Sequence, residues 1–210
     1  LRGRDFRLRF CWRLVLLFLI GNLNASFFTA EVLVLYSLVG FILPLVCRLR
    51  DKWIFVLACV LLIQPLPLYY VAALDPTFVT PALPTGSLWA ATFEAQSHGT
   101  FLDTLRVNLW EGQLASLAWA WDNGRVFQTA ALFLFGYLVG RHGLFLKDNL
   151  KFWNKVLCGS LVAFFPLYGL GNMLPDFVQN PSVRTPLLLV VSSLYKFAFM
   201  LLLVSAVLNG

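Results

Sequence analysis

RLVLLFLIGNLNASFFTAEVLVLYSLVGFILPLVCRLR, residues 13–50, decides the fold class of this chain. It holds two apolar segments back to back, and Glu31 is the sole charged residue between the arginines at its two ends. As a helix, Leu14–Ala30 would rise about 26 Å, close to the hydrocarbon thickness of a bilayer. Val32–Cys47 is nearly as long. Basic groups at both outer ends and none at the turn predict a membrane hairpin whose two ends lie on the same side.

The composition of the whole chain agrees. Its 210 residues are 60% hydrophobic and only 12% charged, against roughly 25% charged in an ordinary soluble domain. The formal net charge of +6 has the look of a nucleic-acid signal until the charges are placed. Lys and Arg sit in short clusters beside apolar runs, which is the positive-inside pattern and not a phosphate-binding patch. Membrane lipid is therefore the expected partner, and nucleic acid is not. The Arg-rich start followed by an apolar run is reminiscent of a secretory signal, but no soluble domain follows it. The chain starts on Leu1 and stops at Gly210 directly after an apolar run, and it reads as a single integral membrane domain cut from a longer protein. Cys11, Cys47, Cys59 and Cys158 have no metal-binding spacing and are expected to be reduced packing residues.

Outward from the hairpin, the expected class is all-α, a polytopic transmembrane bundle with about six spans. These are placed at residues 14–30, 32–47, 53–74, 126–140, 152–174 and 187–208. Pro65 and Pro67 stand near the middle of the third and should kink it, because each removes a backbone donor. The one long connection, 75–125, opens with the Pro-rich run DPTFVTPALPTGS, read as extended. Beyond it, Leu102, Leu105, Leu109, Trp110, Leu114, Leu117, Ala118 and Trp121 recur at spacings of three and four. That is one stripe of an amphipathic helix over Phe101–Trp121, suited to a membrane interface. Orientation follows from the basic residues. Twelve Lys and Arg lie in 1–13, 48–52 and 141–155, against three (Arg106, Arg125 and Arg184) on the other side. This assigns residues 1–13 to the cytoplasm and the long connection to the outside.

Several polar residues are out of place in such a chain. Lys196 lies deep in the sixth span beside Ser192 and Ser193, where an uncompensated charge costs at least about 2.5–3.5 kcal/mol. It is either a tolerated structural charge or part of a site. Glu94 and His98, four apart, would share a helix face and could orient an imidazole for proton transfer, or form a simple exposed pair. Glu94, His98 and Lys196 are thus the catalytic candidates. Asn24, Glu31 and Tyr36 could line a polar pocket open to the outside, the alternative being amide glue between helices. Arg106, Asn108 and Arg125 could bind a carboxylate or phosphate, or form the polar side of an interfacial helix. Neither a nucleotide loop nor a metal-ligand spacing is present, and no cofactor is expected beyond an acyl donor.

The hairpin resembles the YeiB-like family of bacterial inner-membrane proteins, a family built on a domain of unknown function. The resemblance rests on Arg13, Ile20-Gly21, Asn24, Glu31-Val32-Leu33, Tyr36 and Gly40. A second block, GRVFQTAALFLFGYLVGRHGLF at Gly124–Phe145, looks like the same family. The opening Asp-x-x-Arg-Gly block and the closing Gly-Pro-x-Glu-x-x-Trp-Arg block are absent, so the chain matches the family's middle portion. Asn24 stands where many relatives have His, and Glu31 where the usual residue is Asp. The family is distantly similar to membrane acyltransferases, which implies acyl transfer or an acyl-carrier role on envelope substrates in the inner membrane. A small-solute transporter and a non-catalytic assembly partner are the alternatives. An enzyme requires an acid–base group reachable from one face, whereas a transporter requires polar residues of several spans converging at mid-depth.

Overall fold

In the computed structural model, residues 7–29, 31–73, 85–145 and 149–209 are described, with backbone alone at 70–73. All regular structure among them is helical. The chain groups into two compact units, one from 1–49 and 81–130 and the other from 50–80 and 131–210.

In the first unit, α1 (Arg7–Ala25) begins inside the basic approach segment and stops five residues short of the expected Ala30. The second apolar segment is divided into α2 (Leu33–Gly40) and α3 (Ile42–Val46). Pro44 has no N–H to offer the Gly40 carbonyl, so the ladder is interrupted there. α1 and α2 pack directly, and two glycines set how closely. A Cβ on Gly21 would stand 3.0 Å from the Val34 backbone nitrogen, and one on Gly40 only 2.7 Å from Leu14 Cδ2. Small residues of this kind let helix backbones approach where burial of apolar surface supplies no drive.

The long connection carries more helix than its sequence pattern suggests. Residues 75–84, most of the Pro-rich run, lie outside the described residues, but Thr85–His98 forms α6, so Thr85–Ser87 at the end of that run is helical where extended chain is expected. Phe101–Asp122 is helical throughout, as α7 (Phe101–Val107), a π-turn at Asn108–Gly112 and α8 (Gln113–Asp122). Its apolar stripe points the opposite way from a water-soluble helix. Leu102 and Trp110 are 73% and 70% exposed, whereas Asn108, Gly112, Ala115, Ala118 and Ala120 are buried. α1 repeats this, burying Leu14, Gly21 and Ala25 while Leu19, Ile20 and Leu23 stand exposed.

In the second unit, the predicted third span is fully broken. α4 (Asp51–Leu62) and α5 (Pro65–Ala73) are separated at Ile63-Gln64, with Gln64 at φ 58°. Pro65 clashes with a helical residue before it, so the chain leaves the right-handed region there. α9 (Arg125–Arg141) matches the fourth expected span and passes from the first unit into the second. α10 (Leu150–Phe177) and α11 (Pro181–Asn209) are long helices packed along their length. Phe164 meets Phe199 and Tyr168 meets Tyr195, a reversed order that makes the pair antiparallel. Asn180 Oδ1 accepts from the Ser182 N–H, and Pro181 follows it in the first turn, an ordinary start for a helix.

Among the described residues three helices, α1, α10 and α11, are long and apolar enough to cross a membrane. That corrects the expectation of about six continuous spans. Leu33–Val46 is apolar but short and α4–α5 is interrupted, while α9 has 17 residues.

Candidate functional site

The polar residues predicted around the first hairpin are built into a hydrogen-bonded network. Ser26–Thr29 turns the chain after α1, which brings Glu31 back beside the end of that helix. Asn24 Nδ2 donates to Glu31 Oε2, and Glu31 Oε1 accepts from the Leu33 N–H at 2.6 Å, capping the start of α2. Glu31 is only 8% exposed. Both carboxylate oxygens are therefore engaged in holding the turn.

The outer helices fasten onto the same turn. Ser116 Oγ donates to the Glu31 carbonyl at 3.2 Å, and Gln113 Nε2 donates to Asn22 Oδ1 at 2.9 Å. The Asn22 amide in turn donates to the Phe18 carbonyl. Asn108, 1% exposed, donates to the Ser26 carbonyl at 3.0 Å and accepts from Gln96 Nε2 at 3.3 Å. The crevice bounded by Glu31, Val34, Gln113, Ser116 and Leu117 is too narrow to admit a water molecule.

The other predicted site residues of this unit stand apart from the network. Arg106 and Tyr36 are exposed, as is Arg125, whose guanidinium lies 5.6 Å from the centre of the Trp119 ring. Glu94 and His98 are both exposed on α6, and no ion pair joins them. The expected acid–imidazole pair is thus not assembled: side chains four apart on an exposed face lose more rotamer freedom by pairing than one screened contact returns. At the start of α7, Thr100 donates from both its hydroxyl and its N–H to Asp103, at 2.6 and 3.1 Å. Those two bonds, helped by Arg106, hold the Asp103 carboxyl below the usual carboxylate range.

Lys196 belongs to the second unit, half-buried on α11, with its ammonium 5.9 Å from the centre of the Tyr195 ring. One turn earlier, Ser193 accepts a hydrogen bond from Gln64 Nε2 at 3.4 Å. Gln64 is 1% exposed, so the broken helix delivers a buried amide to the middle of α11. A left-handed φ at a residue other than glycine costs about 1–2 kcal/mol, and packing on all sides holds it. At one end of this unit Asp51 pairs with Arg141 at 2.8 Å and with His142 at 3.1 Å. These residues come from two segments assigned to the same face of the membrane.

Gln64, Gln96, Gln113, Ser116 and Asp51 were not singled out from sequence. Pro65 flagged the position of Gln64, but single amides in outer helices carry no local signal of what they reach. Compared with known proteins, the chain matches no family model, no curated protein and no solved structure.

Proposed function

We propose that this is a multi-pass protein of the bacterial inner membrane that moves a small polar solute past the interrupted helix α4–α5. The observation that carries the reading is the break at Ile63-Gln64, where a buried amide meets Ser193 of α11, with Lys196 one turn further on. Interrupted helices in membranes are tolerated where they are buried in protein or line a cavity, and transport sites commonly use them. Support for insertion comes from the three long apolar helices and from the many bulky apolar residues left exposed, while Ala, Ser, Asn and Gln are among the buried ones. In this reading α2–α3, α4–α5 and α9 complete six crossings, with the basic segments in the cytoplasm. The connection 75–125 lies outside, as a cap on the first hairpin.

Membrane acyl transfer on envelope substrates is the second reading, and the Asn24–Glu31 contact favours it, since it joins two positions of the YeiB-like pattern. It ranks second because Glu31 spends both oxygens on hydrogen bonds and His98 stands exposed without an acid beside it.

The test is a solute screen on protein reconstituted in vesicles, reading charge movement or uptake for amino acids, sugars and small carboxylates. The expected outcome is a solute-dependent signal that Gln64→Leu and Lys196→Met each abolish without loss of folded protein. Signals unchanged in both variants, or a panel without any response, would sink the transport reading.

A further inference from the structure

An apolar groove of about 800 Å³ runs along the second unit, walled by α4, the second half of α9, the start of α10 and α11. Phe55, Phe135 and Phe197 make one wall, their rings packed at 5.8 and 4.9 Å. Val56, Val156 and Leu201 add to the lining, and the thiol of Cys59 is the one weakly polar group between the ends. Along α4 the groove extends from Asp51 to Leu62, a rise of about 16 Å. That is close to half of the roughly 30 Å hydrocarbon thickness of a bilayer, the depth of one leaflet.

Only one end is polar, where Asp51, Lys52 and His142 line the mouth. Asp51 is already paired with Arg141 and His142. Lys151 and Lys155 stand exposed on the first turns of α10, which also supply Trp153 and Val156 to the wall. Among the described residues near this end, Lys52, Arg141, Lys151 and Lys155 outnumber the single carboxylate of Asp51, which leaves a positive excess. The mouth is rigid where it meets the groove: Trp153 is buried, donates to the Leu144 carbonyl at 2.6 Å and stacks on Phe145.

We infer that this groove holds an acyl chain of one anionic glycerophospholipid, with the phosphate at Lys52 in the mouth. Three features select that occupant together. A groove one leaflet deep fits a lipid tail and is too short for a second spanning helix. The near-absence of polar lining excludes a polar solute. The excess of cations at the mouth prefers an anionic headgroup to a zwitterionic one. The inference rests on membrane insertion and is independent of whether the protein transports a solute or transfers an acyl group.

The test is mass spectrometry of the intact protein, released gently from vesicles of equimolar phosphatidylcholine and phosphatidylglycerol. Wild-type protein is expected to retain one phosphatidylglycerol, at least about tenfold over phosphatidylcholine. Val56→Trp fills the groove from a half-exposed position and is expected to lose the lipid, as is Val156→Trp from the opposite wall. Lys52→Gln is expected to keep a lipid but lose the headgroup preference. Resistance of the wild-type protein to alkaline extraction from the same vesicles reports insertion separately. A protein that stays inserted yet retains no lipid, retains both lipids equally, or retains phosphatidylglycerol in both Trp variants would overturn the proposal.

Discussion

Replacing Asn108 should loosen the outer helices from the first hairpin, by an amount that follows from its partners. Its Nδ2 supplies a donor to the Ser26 carbonyl, and its Oδ1 accepts from Gln96. Asn108→Ala removes both. Gln96 is exposed and recovers its bond from water, so its share is near zero. Ser26 is half-buried, and its carbonyl loses the one side-chain donor that Asn108 supplies; a group left unsatisfied there costs about 1–3 kcal/mol. Asn108→Asp keeps the shape but turns an oxygen on the carbonyl and buries a charge, at about 3 kcal/mol or more. For a chain of this length each kcal/mol moves the unfolding midpoint by about 2–4 °C. Asn108→Ala should therefore lower it by roughly 2–12 °C, Asn108→Asp by more, and Gln96→Ala scarcely at all. Tryptophan fluorescence during heating of the purified protein in detergent reads all three. If Asn108→Asp unfolded at the wild-type temperature, or Gln96→Ala cost more than Asn108→Ala, the assignment of Asn108 as the fastening residue would be wrong.

Three further outcomes follow from other parts of the molecule. Gly21→Val places carbon against the Val34 backbone, which cannot move aside as a side chain would, and should destabilise by about 1–3 kcal/mol in the same melt. A wild-type midpoint would mean that the α1–α2 contact is looser than described. The Asp103 carboxyl titrates below its ordinary value, so its support for α7 is complete above the usual carboxylate range and lost as pH falls through the lower folded value. Amide exchange at Thr104, corrected for intrinsic rates, should accelerate on acidification in that window, and Asp103→Asn should remove the pH dependence. Finally, single cysteines at Ser97 and Lys52, in a background without the native ones, should label from outside and inside respectively; the reverse pattern would invert the topology.

What the sequence made legible was whatever depends on the neighbouring residues in the chain. The hairpin of 13–50 could be read because glycine, proline and arginine act locally, and the break before Pro65 was visible as a kink for the same reason. The stripe over Phe101–Trp121 was also found, but its direction was not. Periodicity gives an axis for a helix, and whether the bulky side faces protein or lipid depends on the solvent, which the pattern does not name. The π-turn was invisible as well, because a change from i→i+4 to i→i+5 bonding over one turn has no residue-type signature in Asn108–Gly112. Of the site, Asn24 and Glu31 stood out as polar residues in an apolar hairpin, but their mutual hydrogen bond and the exposure of Tyr36 were not readable. Gln113 with Asn22 spans 91 positions, and no local rule reaches that far. Six continuous spans were expected because apolar length was counted without subtracting the turns that Pro44 and Pro65 impose.

The burial pattern of α1 and of the helical stretch Phe101–Asp122 has a consequence for how this protein tolerates change over time. In a water-soluble chain the heavy aliphatic side chains interlock, and the surface drifts. Here Leu19, Ile20, Leu102 and Trp110 stand largely exposed, so any of several bulky residues serves in each place. Gly21, Gly40 and Ala115 admit no such freedom, because the next backbone or side chain is already in van der Waals contact or is fully enclosed around them. Divergence should thus erase the bulky letters first and leave a thin scaffold of the smallest ones. An alphabet of Gly, Ala, Ser and Asn would then carry the ancestry of this chain longer than its leucines do.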